Sequence, residues 1–104
     1  MTAPQLDPVV GEFVDALNAH DHDRLFSLLA EDATMSDDGV TRNIGQWTSR
    51  EIFDSNGRMK VESVADSGRE LVADYTNSRW GSMRTNWRFV VRDGKISRFE
   101  TGQA

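Results

Sequence analysis

The sequence contains no cysteine, so neither a disulfide framework nor a thiolate metal centre can hold the fold, and packing must do so instead. It also lacks any apolar run approaching the roughly 20 residues that span a bilayer. The opening MTAPQLDPVV has no basic region followed by an apolar stretch, and is read as carrying no export leader. Positive charge is scarce as well. Twelve Lys and Arg stand against seventeen Asp and Glu, for a formal charge of -5, which works against a sequence-independent grip on phosphate backbones. The expectation is a soluble protein of the reducing cytoplasm, with no nucleic-acid partner and no membrane.

With 104 residues and 38% hydrophobic content, the chain suits one domain, 1–104, around one core. Asp7-Pro8 marks a helix start, because Asp can cap free N–H groups and Pro at the first position has none to leave unsatisfied. Val10, Phe13, Val14 and Leu17 then recur at helical spacing, and Asn18-Ala19-His20 ends that helix. Asp21 is placed to cap a second helix whose stripe is Leu25, Leu28 and Leu29. In EDATMSDDGV, residues 31–40, a short extended step from Ala33 to Ser36 precedes Asp37-Asp38-Gly39. Gly45 breaks the chain, and Thr48 with Glu51 has the spacing of a capping box for a third helix carrying Ile52 and Phe53. Asn56-Gly57 closes it.

From Arg58 the period changes to two. Met59, Val61, Ser63 and Ala65 define one face of a strand, and Ser67-Gly68 turns the chain. Leu71, Ala73, Tyr75 and Asn77 share a face of the next strand, which reverses at Trp80-Gly81. Thr85, Trp87, Phe89 and Val91 then alternate with Arg84, Arg88 and Arg92. Asp93-Gly94 is a two-residue hairpin signal. The last strand puts Ser97, Phe99 and Thr101 inward, with Ile96 on the other face. Helices followed by an antiparallel meander give an α+β layout, a cone-like curved sheet closed by two to three N-terminal helices. An apolar pocket for a small molecule fits between the layers.

The run VVGEFVDALNAHDHDRLFSLLAEDATMSDDG, the helix at Gly45 and the closing WRFVVRDGKISRFE resemble the nuclear-transport-factor-2-like (cystatin-like) superfamily, which includes ketosteroid isomerases and SnoaL-like polyketide cyclases. The resemblance spans nearly the whole chain and implies the cone fold, a hydrophobic cyclic carbonyl substrate and no cofactor. It places the isomerases' general base on Asp37. Their tyrosine donor falls on Phe13, which has no hydroxyl. Their protonated aspartate falls on Thr85 or Asn86, the inward phase favouring Thr85. Tyr75, Thr85, Thr101 or the indole N–H of Trp87 could supply the missing donors in another geometry. Dehydratases of this fold use pocket histidines, whereas His20 and His22 lie in a helix junction. Its epoxide hydrolases use an Asp-Arg-Asp set inside the cone, whereas the arginines of the third long strand share the outward phase.

Each candidate also has a plainer reading. Asp37 is either a base at a pocket mouth or an Asx-type turn residue, and Asp38 is read as the turn residue of the pair. His20-Asp21-His22-Asp23 offers ligand types for zinc, but its spacing fixes no third or fourth ligand, so no metal is expected. The arginine row is either an anion-binding stripe or the polar side of a half-buried sheet. The resemblance also implies a homodimer through that outer face, and Arg is favoured at interfaces. Trp87 is read as a cavity wall or core residue, and Trp47 as either a rim over the ligand or a cover for the third helix. The expected substrate-binding set is Phe13, Trp47, Tyr75, Thr85, Trp87, Phe89, Phe99 and Thr101. The alternative function is a non-catalytic ligand-binding or dimeric assembly module of the same fold.

Overall fold

The computed structural model describes residues 6–104. Residues 1–5, on which part of the leader reading rests, lie outside the described residues. Helix α1, Pro8–Ala19, starts as its sequence indicates, with the Asp7 side chain accepting from the Val9 N–H at 3.2 Å. It buries Val10, Phe13, Val14 and Leu17, and His20 ends it in the left-handed conformation at φ 54°. Helix α2, His22–Ser27, is capped by Asp21. It is shorter than its leucine stripe suggested, for Leu29 opens strand β1, Leu29–Asp37. Pairing overrides helical periodicity at that point: Ile96 N–H donates to the Leu28 carbonyl at 2.9 Å, and Leu29 stands opposite Ile96.

Strand β1 is thus longer than the step from Ala33 to Ser36, and it turns through Asp38-Gly39 into β2, Val40–Arg42. Asp38 (φ 49°) and Gly39 (φ 81°) form the two-residue loop of this hairpin, a conformation suited to Asp-Gly. Helix α3, Ile44–Thr48, contains Gly45 instead of breaking there, and its cap is Asn43, which accepts from Gln46 N–H at 3.0 Å. The capping box at Thr48 and Glu51 does not form. Thr48 is inside the helix, its hydroxyl bonded back to the carbonyls of Ile44 and Gly45 at 2.7 and 3.1 Å. A π-helical turn, Ser49–Phe53, follows directly.

Four strands complete the chain: β3, Arg58–Ala65; β4, Glu70–Asn77; β5, Gly81–Arg92; and β6, Lys95–Gln103. They form the antiparallel meander expected, in a six-stranded sheet of order β2-β1-β6-β5-β4-β3. The β1–β6 pair is parallel, so the sheet is mixed. On β5, Thr85, Trp87 and Phe89 are buried while Arg84, Arg88 and Arg92 are exposed, as the alternation requires.

Two irregularities shift the expected faces. A register shift between Val61 and Ser63 puts Val64 opposite Leu71 and leaves Ser63 and Ala65 exposed. Between Val90 and Val91 the partner moves from Arg98 to Ile96, so Ser97 is the extra residue of a bulge. Its hydroxyl bonds the Val90 carbonyl at 3.2 Å, and Ile96, not Ser97, faces inward, fully buried.

The closed end of the cone is filled. Phe13 lies 5.1 Å from Phe89 and 5.3 Å from Phe99 between ring centroids, and Trp87 packs against all three. Such aromatic clustering adds to area burial. None of the described helices is long and apolar enough to cross a membrane.

Candidate functional site

A cavity of about 450 Å³ opens at the mouth of the cone, between the inner face of the sheet and the stretch formed by α3 and the π-helical turn. Its size is in the range used by small-molecule sites. Asp37, Trp47, Tyr75, Thr85, Trp87 and Thr101 of the expected set contribute to its wall. Phe13, Phe89 and Phe99 lie in the core behind that wall, 0 to 3% exposed, where they support Trp87.

Asp37 is the last residue of β1. It stands opposite Thr101 of β6, which in turn stands opposite Trp87 of β5. Paired residues share a sheet face, so these three form a row along the inner face. From the helical side, Trp47 Nε1–H donates to Asp37 Oδ2 at 3.0 Å. This bond fixes the carboxylate's orientation, and Oδ1 has no protein partner among the described residues. Trp47 therefore both covers α3 and closes one side of the cavity, edge-on to Trp87 and Phe99. Asp38 is exposed and plays the turn role: its N–H donates to the Thr101 carbonyl, and its carboxylate accepts from Gln103 N–H at 3.1 Å.

The candidate hydrogen-bond donors are occupied to different degrees. Thr85 donates its hydroxyl to the Ala73 carbonyl at 3.0 Å and accepts from Trp87 Nε1–H at 2.9 Å. The Tyr75 hydroxyl donates to the Glu51 carbonyl at 2.6 Å. Burial, and secondarily the negative charge of Glu51, push its ionisation well above the ordinary tyrosine range, despite an opposing hydrogen bond with Asn77. The Thr101 hydroxyl has no such partner among the described residues, and Thr101 is directly beside Asp37 in the sheet.

Sequence reasoning missed the opposite wall. Glu51 is 8% exposed, and its Oε2 accepts from Trp80 Nε1–H at 3.0 Å. Its carbonyl accepts from both Tyr75 and Asn77. Arg50 and Arg79 flank its carboxylate, each at 3.7 Å. The capping-box spacing at Thr48 pointed away from this role, and nothing local pairs Glu51 with Trp80 across 29 positions.

His20 and His22 do not enter the cavity. His20 Nε2 bonds the Gly57 carbonyl at 2.8 Å, and His22 packs against Phe26 and Phe53. Among the described residues no group of three or more His, Asp or Glu is placed to hold a metal ion. In the arginine row of β5 on the outer sheet face each member has an acidic neighbour: Arg84 with Glu62, Arg88 with Glu70, and Arg92 with Asp32.

Helices closing a curved sheet, with a polar-edged cavity at the mouth, define an α+β cone of the nuclear-transport-factor-2-like class. The chain belongs to the SnoaL-like domain family, which it matches over residues 10–99. No curated protein matches it in sequence. Among solved structures it is similar to a candidate polyketide cyclase from Sinorhizobium meliloti, with TM-score 0.80 and 21% identity over 92% of this chain and 94% of that one. It is also similar to a cystatin-like protein of unknown function from Xanthomonas campestris, with TM-score 0.78 and 16% identity over 93% and 88% of the two chains. A candidate ketosteroid isomerase from Kribbella flavida gives TM-score 0.70 and 16% identity over 93% and 76%. At these identities the likeness to the solved structures is one of fold.

Proposed function

We propose that this protein binds a small hydrophobic carbonyl compound in the mouth cavity and transfers a proton on it without a cofactor, as an isomerase or cyclase does, with Asp37 as general base. One observation carries the reading: the Asp37 carboxylate is on the cavity wall, oriented by Trp47, and its residue is paired in the sheet with Thr101, which lines the same cavity. Asp37 takes a proton from the carbon next to the carbonyl, and the C–H electron pair becomes an enolate whose oxygen accepts from Thr101. Isomerisation returns that proton to another carbon. Cyclisation instead lets the enolate carbon attack a second carbonyl of the same molecule, whose oxygen takes the proton.

The test is exchange of α-protons for deuterium in a panel of cyclic ketones and β-keto esters, followed by NMR. Asp37→Asn keeps the shape and should slow exchange by about 10²- to 10⁴-fold. Trp47→Phe, which only releases the carboxylate, should slow it less. Equal exchange by wild type and Asp37→Asn would reject the assignment.

A second reading, a binding or assembly module, is favoured by the internal hydrogen bonds of Tyr75, Thr85 and Trp87, which leave few donors for an oxyanion. It predicts ligand-induced thermal stabilisation with no exchange. In either case we infer a cytoplasmic homodimer through the outer sheet face, where Val90 is 49% exposed between Arg88 and Arg92. Sedimentation of wild type against Arg88→Glu tests the dimer.

A further inference from the structure

Three arginines line the same cavity: Arg42 from β2, Arg50 from the π-helical turn and Arg79 from the turn between β4 and β5. Arg84, Arg88 and Arg92 in the outer-face row of β5 each have their own carboxylate, and the cavity arginines do not. Arg50 and Arg79 share one, Glu51. The nearest approach is through Nε at 3.7 Å in both cases, well beyond the roughly 2.7–2.9 Å of a good charge-assisted hydrogen bond. Arg42 has no acidic partner within ion-pair distance among the described residues. Both Arg50 and Arg79 remain about half exposed, at 52% and 43%, so the outer edges of their guanidinium groups are free for a ligand. Meanwhile Asp37 and Asp38 bring negative charge to the cavity from the β1–β2 hairpin.

Its mouth also carries apolar surface. Trp80 is 60% exposed and Val40 51% exposed, and both border the cavity. The Trp80 indole is fixed by its bond to Glu51, while the Arg79 guanidinium sits 5.5 Å from the ring centroid. A rigid indole face beside paired guanidinium groups suits a flat apolar body ending in an anion, because Arg binds carboxylates through its planar fork.

We propose that the ligand is a flat, apolar carboxylic acid bound as its anion. Its carboxylate rests on the exposed edges of Arg50 and Arg79, on the solvent side of the Glu51 carboxylate that they flank, its ring system rests on Trp80, and its opposite end points toward Asp37. This names the substrate class for the cavity and rests on the reading of that cavity as the substrate site.

Binding of 2-naphthoate and of its neutral isostere 2-naphthamide, measured by isothermal titration calorimetry at low salt, tests the proposal. Naphthoate should bind about tenfold tighter or more, the order expected for gaining one charge-assisted hydrogen bond. Arg79→Gln and Arg50→Gln should each erase most of that preference, weakening naphthoate much more than naphthamide, and Arg88→Gln on the outer face should do nothing. Equal affinities, no binding of either probe, or a preference that survives Arg50→Gln and Arg79→Gln would overturn it. The two proposals fail separately. A carboxylate preference alongside deuterium exchange that ignores Asp37→Asn leaves the anion site and removes the base. Exchange that depends on Asp37, with no preference for naphthoate, does the reverse.

Discussion

Tyr75 is the single tyrosine of the chain, so its ionisation can be followed without interference from another phenol. In the folded protein it is 5% exposed and donates to the Glu51 carbonyl at 2.6 Å, and burial first, then the Glu51 charge, raises its pKa. The sign follows from linkage. An acid whose folded pKa lies above its unfolded value of about 10 contributes stability that is complete below pH 10 and is lost as pH rises toward the folded pKa. With the folded phenol still protonated, the loss is about 1.4 kcal/mol at about pH 11 and about 2 kcal/mol half a unit higher.

Tyr75→Phe removes this dependence but also the hydroxyl's bond to Glu51, whose carbonyl keeps Asn77 as a donor. At neutral pH the variant should therefore be less stable by about 0.5–1.5 kcal/mol. The two stability curves should converge with rising pH and cross between about pH 10 and about pH 11, where the linkage loss matches the lost hydrogen bond. Urea unfolding followed by circular dichroism, from neutral pH upward, measures both curves, and taking their difference removes the titration of other groups. In parallel, tyrosinate absorbance should rise only as the protein unfolds. A tyrosinate signal with a midpoint near about 10 in protein that is still folded would refute the reasoning. So would parallel curves for the two proteins.

Two further substitutions test the internal network. Thr85→Val keeps the shape but strands the buried Trp87 indole N–H, and should cost about 1–3 kcal/mol, with less lost when Trp87→Phe is already present, as a double-mutant cycle would show. Gly57→Ala would bring a methyl group against the Tyr75 hydroxyl, 2.9 Å from the Ile52 Cα and 3.1 Å from the Glu51 carbonyl. It should cost about 1–3 kcal/mol by overpacking, partly relieved in the Tyr75→Phe background, which calorimetric melting of the single and double variants would reveal.

The faces of β4 and β5 were legible in the sequence because each is regular: Leu71, Ala73, Tyr75 and Asn77, like Thr85, Trp87 and Phe89, alternate without interruption and are all buried. The strands with an extra residue were not. A period of two cannot announce where it will skip a beat, so Ser97 was assigned the inward place that Ile96 holds, and Ser63 the place that Val64 takes. Strand β1 was underestimated for another reason. Its middle residues Glu31 and Asp32 are exposed and carry no apolar alternation, while its pairing is with β6, more than sixty positions away.

The same distinction explains which half of the cavity could be foreseen. Asp37 became visible through the resemblance, and the Asp38-Gly39 turn that ends its strand is a local signal that the structure honours. The Glu51 wall depends on backbone geometry that side-chain spacing does not encode. Thr48 satisfies its hydroxyl on carbonyls earlier in α3 instead of capping the residues after it, and the ladder widens into a π-helical turn. That wider turn presents Glu51 to β4 and to the turn that follows it, so that Tyr75, Asn77 and Trp80 all bond to one residue. Turns of this kind are rare and concentrate at functional sites. Here the turn sets two arginines and an exposed indole around one buried carboxylate at a cavity mouth, an arrangement that core packing alone would not require.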